Sequence, residues 1–272
     1  MKRNPVVAGS FYPGYANILR KDIEKYFSNA DDNIESRDIL GIIAPHAGYI
    51  YSGQCAAHSY KAVMQKGIDQ AVIIAPSHRF ANFKYSVGNY ESYLTPLGEV
   101  PVAEDITNKL MKHQDFCFHH PAHQAEHSLE VQLPFLQVAF PKIKIIPILL
   151  GSQTMKNSEN LAEILVGEFE DQLDKTVFVI STDLSHYYSS SIAEEKDNRL
   201  IKILKELEIE SMQENFAENR IEACGMGGIL TLMYLAKMLK FNEIEILNYV
   251  HSGHISGDLS QVVGYLSAVV HK

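Results

Sequence analysis

Twelve histidines are the most informative residues in this 272-residue chain, because several stand in short motifs that follow apolar runs. His46 lies in Ala44-Pro45-His46-Ala47-Gly48-Tyr49, His78 in Ala75-Pro76-Ser77-His78, and His186 in Ser181-Thr182-Asp183-Leu184-Ser185-His186. His46 and His78 both follow an Ala-Pro turn, and a rigid turn is suited to imidazoles that must converge on one metal ion. A third ligand is needed, and the candidates are Asp183, His186, Cys224 and the Glu126/Glu130 pair. Cys224 has the strongest context. It precedes Gly225-Met226-Gly227-Gly228 and a long apolar run, where the free N–H groups of a helix start favour a thiolate. A small buried residue beside glycines that allow close helix packing accounts for Cys224 equally well. Cys55, inside an expected helix, reads as core.

Asp183 and His186 are three residues apart, and an Asp orienting a His is a usual way to tune a general base. His127 is a second acid/base candidate. Phe11, Tyr49 and Tyr51 are candidates for an aromatic-friendly substrate pocket, and ordinary packing explains each as readily. His123-Gln124-Ala125-Glu126-His127 also fits H-x-x-E-H, in which two histidines one helical turn apart hold zinc and the glutamate acts as base. Pro134, two turns on, argues against a continuous helix there. G-x-S-x-G and the Walker glycine loop are both missing from the sequence, which argues against a serine-hydrolase mechanism and a P-loop.

These residues need a scaffold. Apolar, β-branched runs at 39–44, 71–75, 143–150 and 176–181 read as buried strands, with two more at 244–250 and 261–270. Helical spacing appears at 16–28, 53–66, 103–113, 126–139, 157–171, 191–209 and 225–240. Alternating strands and helices imply an α/β fold with a largely parallel or mixed central sheet flanked by helices. Ligands of such sheets bind beyond the carboxyl ends of the strands, where His46, His78, Asp183 and His186 fall. Segment 84–102, with Gly88, Pro96, Gly98 and Pro101, suggests a hairpin or an irregular excursion. With no repeat or linker, one domain spanning 1–272 is expected.

Composition narrows the function classes. Hydrophobic residues at 46% and charged residues at 21% describe a packed globular protein. A net charge of −9, without a Lys/Arg run, argues against nucleic-acid binding. No window approaches the roughly 18 apolar residues of a membrane span. Met1-Lys2-Arg3-Asn4-Pro5 is not followed by an apolar stretch of signal-peptide length, and three cysteines leave one over from any disulfide, so a reduced, cytoplasmic setting is expected.

Taken in order, Ala8-Gly9-Ser10-Phe11-Tyr12-Pro13, Ala44-Pro45-His46-Ala47-Gly48-Tyr49, Pro76-Ser77-His78, Glu126-His127-Ser128-Leu129-Glu130, Leu133-Pro134, Ser181-Thr182-Asp183-Leu184-Ser185-His186 and Cys224-Gly225 resemble the Memo family. That family is similar to the class III extradiol dioxygenases, non-haem iron enzymes that open catechol rings on an α/β scaffold with a mixed central sheet. The resemblance implies a metal site at His46, His78 and Cys224, with Asp183 and His186 beside it. The related dioxygenases use two His and a Glu; sulfur is a softer ligand that admits copper or zinc as well as Fe(2+). The name of the prokaryotic group, AmmeMemoRadiSam system protein B, suggests a radical-SAM protein and an AMMECR-type protein as partners. Three functions follow as expectations: a metal-dependent redox enzyme acting on a small molecule, a non-catalytic adaptor holding a peptide or partner in the cleft, and a zinc hydrolase built on His123, Glu126 and His127.

Overall fold

A computed structural model describes residues 1–31 and 38–272. From the N-terminus, β1 (Lys2–Arg3) is followed by α1 (Ala16–Asn29), β2 (Ile39–Ala44), α2 (Tyr49–Val63) and β3 (Gln70–Pro76). Then come β4 (Tyr85–Val87), β5 (Ser92–Thr95), β6 (Gly98–Pro101), α3 (Glu104–Leu110), β7 (Phe116–Cys117) and α4 (His120–Ala125). A 3₁₀ turn over Glu130–Gln132 leads into α5 (Leu133–Ala139), β8 (Lys144–Leu150), α6 (Met155–Phe169), β9 (Thr176–Ser181) and β10 (His186–Tyr188). The chain ends with α7 (Ser190–Lys205), α8 (Ile209–Ala217), α9 (Met226–Leu239), β11 (Glu243–His251), α10 (Gly253–Ser256) and β12 (Val262–His271).

The main sheet, nine strands among the described residues, runs β10-β12-β2-β9-β3-β8-β4-β7, with β11 on the other side of β12. Its centre, β2-β9-β3-β8, is parallel, whereas β12 joins β2 and β4 joins β8 antiparallel. The fold is therefore α/β with a mixed central sheet. Alternate residues of the central strands enter opposite layers. Ile43, Val72, Ile74, Phe178 and Ile180 face one apolar cluster, shared with α6 and α9. Ile42, Ala71, Ile73, Val177 and Val179 face the other, under α1, α2 and α5. Burial on both faces is why these strands read as continuous apolar runs and not as alternating ones.

The six expected strands are present, each within a residue or two of its expected bounds. Segment 84–102 resolves into β4, which joins the main sheet, and a β5–β6 hairpin that pairs with β1 in a three-stranded sheet. The helix expected over 126–139 is instead an extended segment after α4, followed by the 3₁₀ turn and α5. Glu126 is extended (φ −92°, ψ 132°), and Pro134 sits in the first turn of α5, where its missing N–H costs nothing. The expected helix over 191–209 ends at Lys205, with Leu207 in the left-handed region at φ 52°. No helix among the described residues is long and apolar enough to cross a membrane.

Candidate metal centre

β2, β3 and β9 are parallel neighbours, so the loops leaving their carboxyl ends open side by side. The first carries His46, the second His78 and the third Asp183. The Cys224 sulfur reaches the same point from the start of α9, and ligand atoms of His46, His78 and Cys224 all lie within 4.8 Å of one another. Cys224 Sγ is 3.3 Å from His46 Nε2.

Cys224 is held by hydrogen bonds to the β9 loop. Its N–H donates to the Asp183 carbonyl, the Gly225 N–H donates to Thr182 Oγ1, and Gln153 Nε2 donates to the Cys224 carbonyl. Glycine at 225 is required by that approach, because a Cβ there would stand 2.5 Å from the Ser181 carbonyl oxygen. The Asp183 N–H donates to Cys224 Sγ at 3.1 Å. Even so, burial, with the Asp183 carboxylate adding to it, pushes the thiol pKa up. Helix-start N–H groups alone do not make a free thiolate here; a bound cation would supply the missing positive charge.

The hydrogen-bond pattern defines the His46 ring. Ser181 Oγ donates its one hydrogen to the Ser128 carbonyl, so it accepts from both Gln132 Nε2 and His46 Nδ1, the latter at 2.8 Å. The proton of neutral His46 therefore sits on Nδ1, and the Nε2 lone pair faces Cys224. Gln132 is oriented in turn by the Pro45 carbonyl and the Tyr60 hydroxyl. Burial, followed by the neighbouring His78 and His127, lowers the His46 pKa well below its ordinary value.

His78 is supported by a carboxylate. Glu126 Oε1 lies 2.8 Å from His78 Nδ1, and Glu126 Oε2 accepts the His78 N–H at 2.7 Å. Burial works to lower the His78 pKa, but the Glu126 hydrogen bond and charge outweigh it and the net shift is upward. Glu126 also accepts the N–H groups of His127 and Ser128. Although burial opposes ionisation, the His127 and His78 side chains, with the His78 N–H, hold its carboxyl well below the usual range. His127 stacks on His78 with ring centroids 4.7 Å apart and meets Phe11 edge-on at 4.9 Å. Three imidazoles, a thiol and Glu126 thus share one site.

Several expectations need correction. Asp183 does not orient His186: its Oδ1 accepts the His46 N–H at 2.8 Å. The carboxylate beside His186 is Glu222, which accepts the His186 N–H at 3.2 Å and lies 3.7 Å from its Nδ1. Tyr49 belongs to the core, its phenol donating to the Val131 carbonyl and its ring packed on Phe135. Tyr51, by contrast, is exposed on the first turn of α2 and stays a candidate for the pocket. His123 is fully buried away from the centre, bonded to Ser86 and Tyr93, with its pKa lowered by burial to about 3. The H-x-x-E-H reading fails because α4 ends at Ala125, which separates His123 from His127. Cys55 is buried in the core as expected, and all three cysteines are free.

Some supporting residues gave little sequence signal. Ser181, Gln132 and Glu222 are polar residues of common types, recognisable only by contact. Glu130, considered above as a ligand, is buried and takes the Arg3 guanidinium, the Val6 and Val7 N–H groups and the Tyr12 hydroxyl. It thereby ties the N-terminal segment, including Phe11, to the rim of the site.

A family model described as "Memo-like protein" matches residues 3–269. The chain is 39% identical to a MEMO1 family protein of Methanobrevibacter smithii, over 99% of both chains. It is 38% identical to one of Sulfurisphaera tokodaii, over 98% of both, and 36% identical to one of Methanosarcina barkeri, over 98% of this chain and 99% of that one. Among solved structures, the uncharacterized protein JW3007 from Escherichia coli K12 shares the fold at TM-score 0.52 and 12% identity, covering 85% of this chain and 99% of that one. On the strength of these full-length matches, the chain belongs to the Memo family.

Proposed function

We propose that this chain is a metal-dependent redox protein acting on a small molecule, with a non-haem ion held by His46 Nε2, His78 Nε2 and Cys224 Sγ. The carrying observation is the approach of these donors to within 4.8 Å, with the Nδ1 atoms of both imidazoles occupied by Ser181 and Glu126. Metal-ligating histidines characteristically engage their second nitrogen in this way, so the residues fit a metal. Two nitrogens and a sulfur suit Fe(2+), which we favour, and also copper or zinc. A redox-active ion would supply electron transfer and open positions for a substrate.

The chain's own groups have separate tasks. Asp183, through the His46 N–H, and Ser181, through Nδ1, hold His46 in place. Glu126 orients His78 and His127 together, which leaves His127 at the rim to accept or donate a proton. Phe11 gives that rim an apolar face. His186, beside Glu222, is a second proton carrier.

Elemental analysis and oxygen uptake of anaerobically purified protein test this reading. Stoichiometric metal is expected in the parent and is lost in His46→Ala and Cys224→Ala. Retention of full metal by both variants overturns the assignment. Metal bound without turnover of catechols and other aromatics would instead identify an adaptor on the same scaffold.

A further inference from the structure

Away from this centre, another set of nitrogen and oxygen donors converges among the described residues. Glu194 on α7, His251 at the end of β11 and His254 on α10 each offer a ligand atom, all within 4.8 Å of one another. His251 is buried, and its Nε2 lies 3.2 Å from Glu194 Oε1. Its ring stacks on His254 with centroids 3.8 Å apart and 14° between planes, so the exposed His254 ring turns out of the stack before both in-plane nitrogen lone pairs meet one ion. His251 Nδ1 is buried with no hydrogen-bond partner. A buried imidazole is normally satisfied at its polar atoms. Here the ring's polar outlet is the side facing a carboxylate and a second imidazole.

Glu194 and His254 are exposed, so an ion has a path from solvent. The cluster has no thiolate, which disfavours soft ions, and two imidazoles distinguish it from the all-oxygen sites of magnesium and calcium. We propose that Glu194, His251 and His254 form a second metal site for a divalent first-row transition ion such as zinc, nickel or cobalt, bound through imidazole nitrogen and carboxylate oxygen. The His251 N–H donates to His254 Nδ1 at 3.2 Å. A cation at that nitrogen displaces this hydrogen bond, and one at Nε2 requires the ring proton to move. The second ion therefore binds more weakly than the one at His46.

Cobalt(II), titrated into chelator-treated full-length protein, separates the two sites. Binding at Cys224 produces a sulfur-to-cobalt charge-transfer band; binding at Glu194, His251 and His254 produces heat and ligand-field absorption without it. We expect two equivalents in the parent, the weaker one lost in Glu194→Gln and in His254→Ala and kept in Cys224→Ala. Both replaced residues are exposed, so the core is undisturbed. A single equivalent in the parent, or a second equivalent undiminished in both variants, overturns the proposal. A weaker equivalent that depends on Glu194 and His254, in a parent with no charge-transfer band, supports this site and counts against the reading of the His46 centre.

Discussion

The loops after β2 and β3 place their histidines in similar sequence settings and support them in opposite ways. His46 is 1% exposed and rests on a neutral hydroxyl, Ser181, itself held by Ser128 and Gln132. The His78 side chain is 34% exposed and rests on a carboxylate, Glu126. Burial keeps the first ring neutral and low in pKa, while the second is raised by its partner. One centre thus combines a fixed, neutral donor at its base with a more basic donor at its rim. His127 shares Glu126 with His78, so any movement of that carboxylate affects both the proposed ligand and its neighbour at once.

The comparison can be broken most directly at the ligands. His46→Ala and His78→Ala should each abolish stoichiometric metal by elemental analysis; if His78→Ala leaves it intact, the rim imidazole is no ligand and the pairing of the two loops loses its meaning. Next in size is Glu126→Gln. Removing a buried charge that holds several N–H groups should cost roughly 3 kcal/mol in denaturant unfolding and weaken metal binding about 10–100-fold.

His123 sharpens the contrast as a buried histidine without a metal role. Its folded pKa of about 3 lies below an unfolded value of about 6.5, so the unfolded chain binds more protons between those limits. The stability it contributes is complete above pH 6.5 or so and declines as pH falls toward about 3, by a few kcal/mol at most. Unfolding of metal-free protein across that range should show the acid limb, and His123→Gln should flatten it; an unchanged slope would show that His123 is not held neutral.

Ser181→Ala should have the smallest effect. It leaves His46 Nδ1 and one of the two Gln132 Nε2 hydrogens without an acceptor, for about 1–2 kcal/mol of stability and a metal-affinity loss smaller than that of Glu126→Gln. Calorimetric titration decides the order, and a Ser181→Ala loss equal to or above the Glu126→Gln loss would reverse the claim that the carboxylate is the stronger support.

Much of the centre was legible because short-range chemistry marked it. The Ala-Pro turns before His46 and His78 and the glycines after Cys224 are local signals, and apolar runs announced the strands that carry them. The Asp183–His186 pairing failed because three residues of separation in a loop do not determine side-chain direction. Asp183 turned to the amide of His46, and Glu222, from the segment before Cys224, stands beside His186 instead. The helix expected through 126–139 failed because Glu126 is extended and its carboxylate holds the His78 loop.

Residue types and periodicity by themselves determined the buried strands, the histidine-bearing loops and the set of available donors, since these depend on patterns within a few residues. Tertiary structure alone decided which donors meet and which nitrogen each presents. Those choices depend on the parallel order β2-β9-β3, on α9 docking against the β9 loop, and on hydrogen bonds between residues more than a hundred positions apart, such as Ser181 with His46. Packing of distant segments sets such contacts, and local sequence carries no direct record of it.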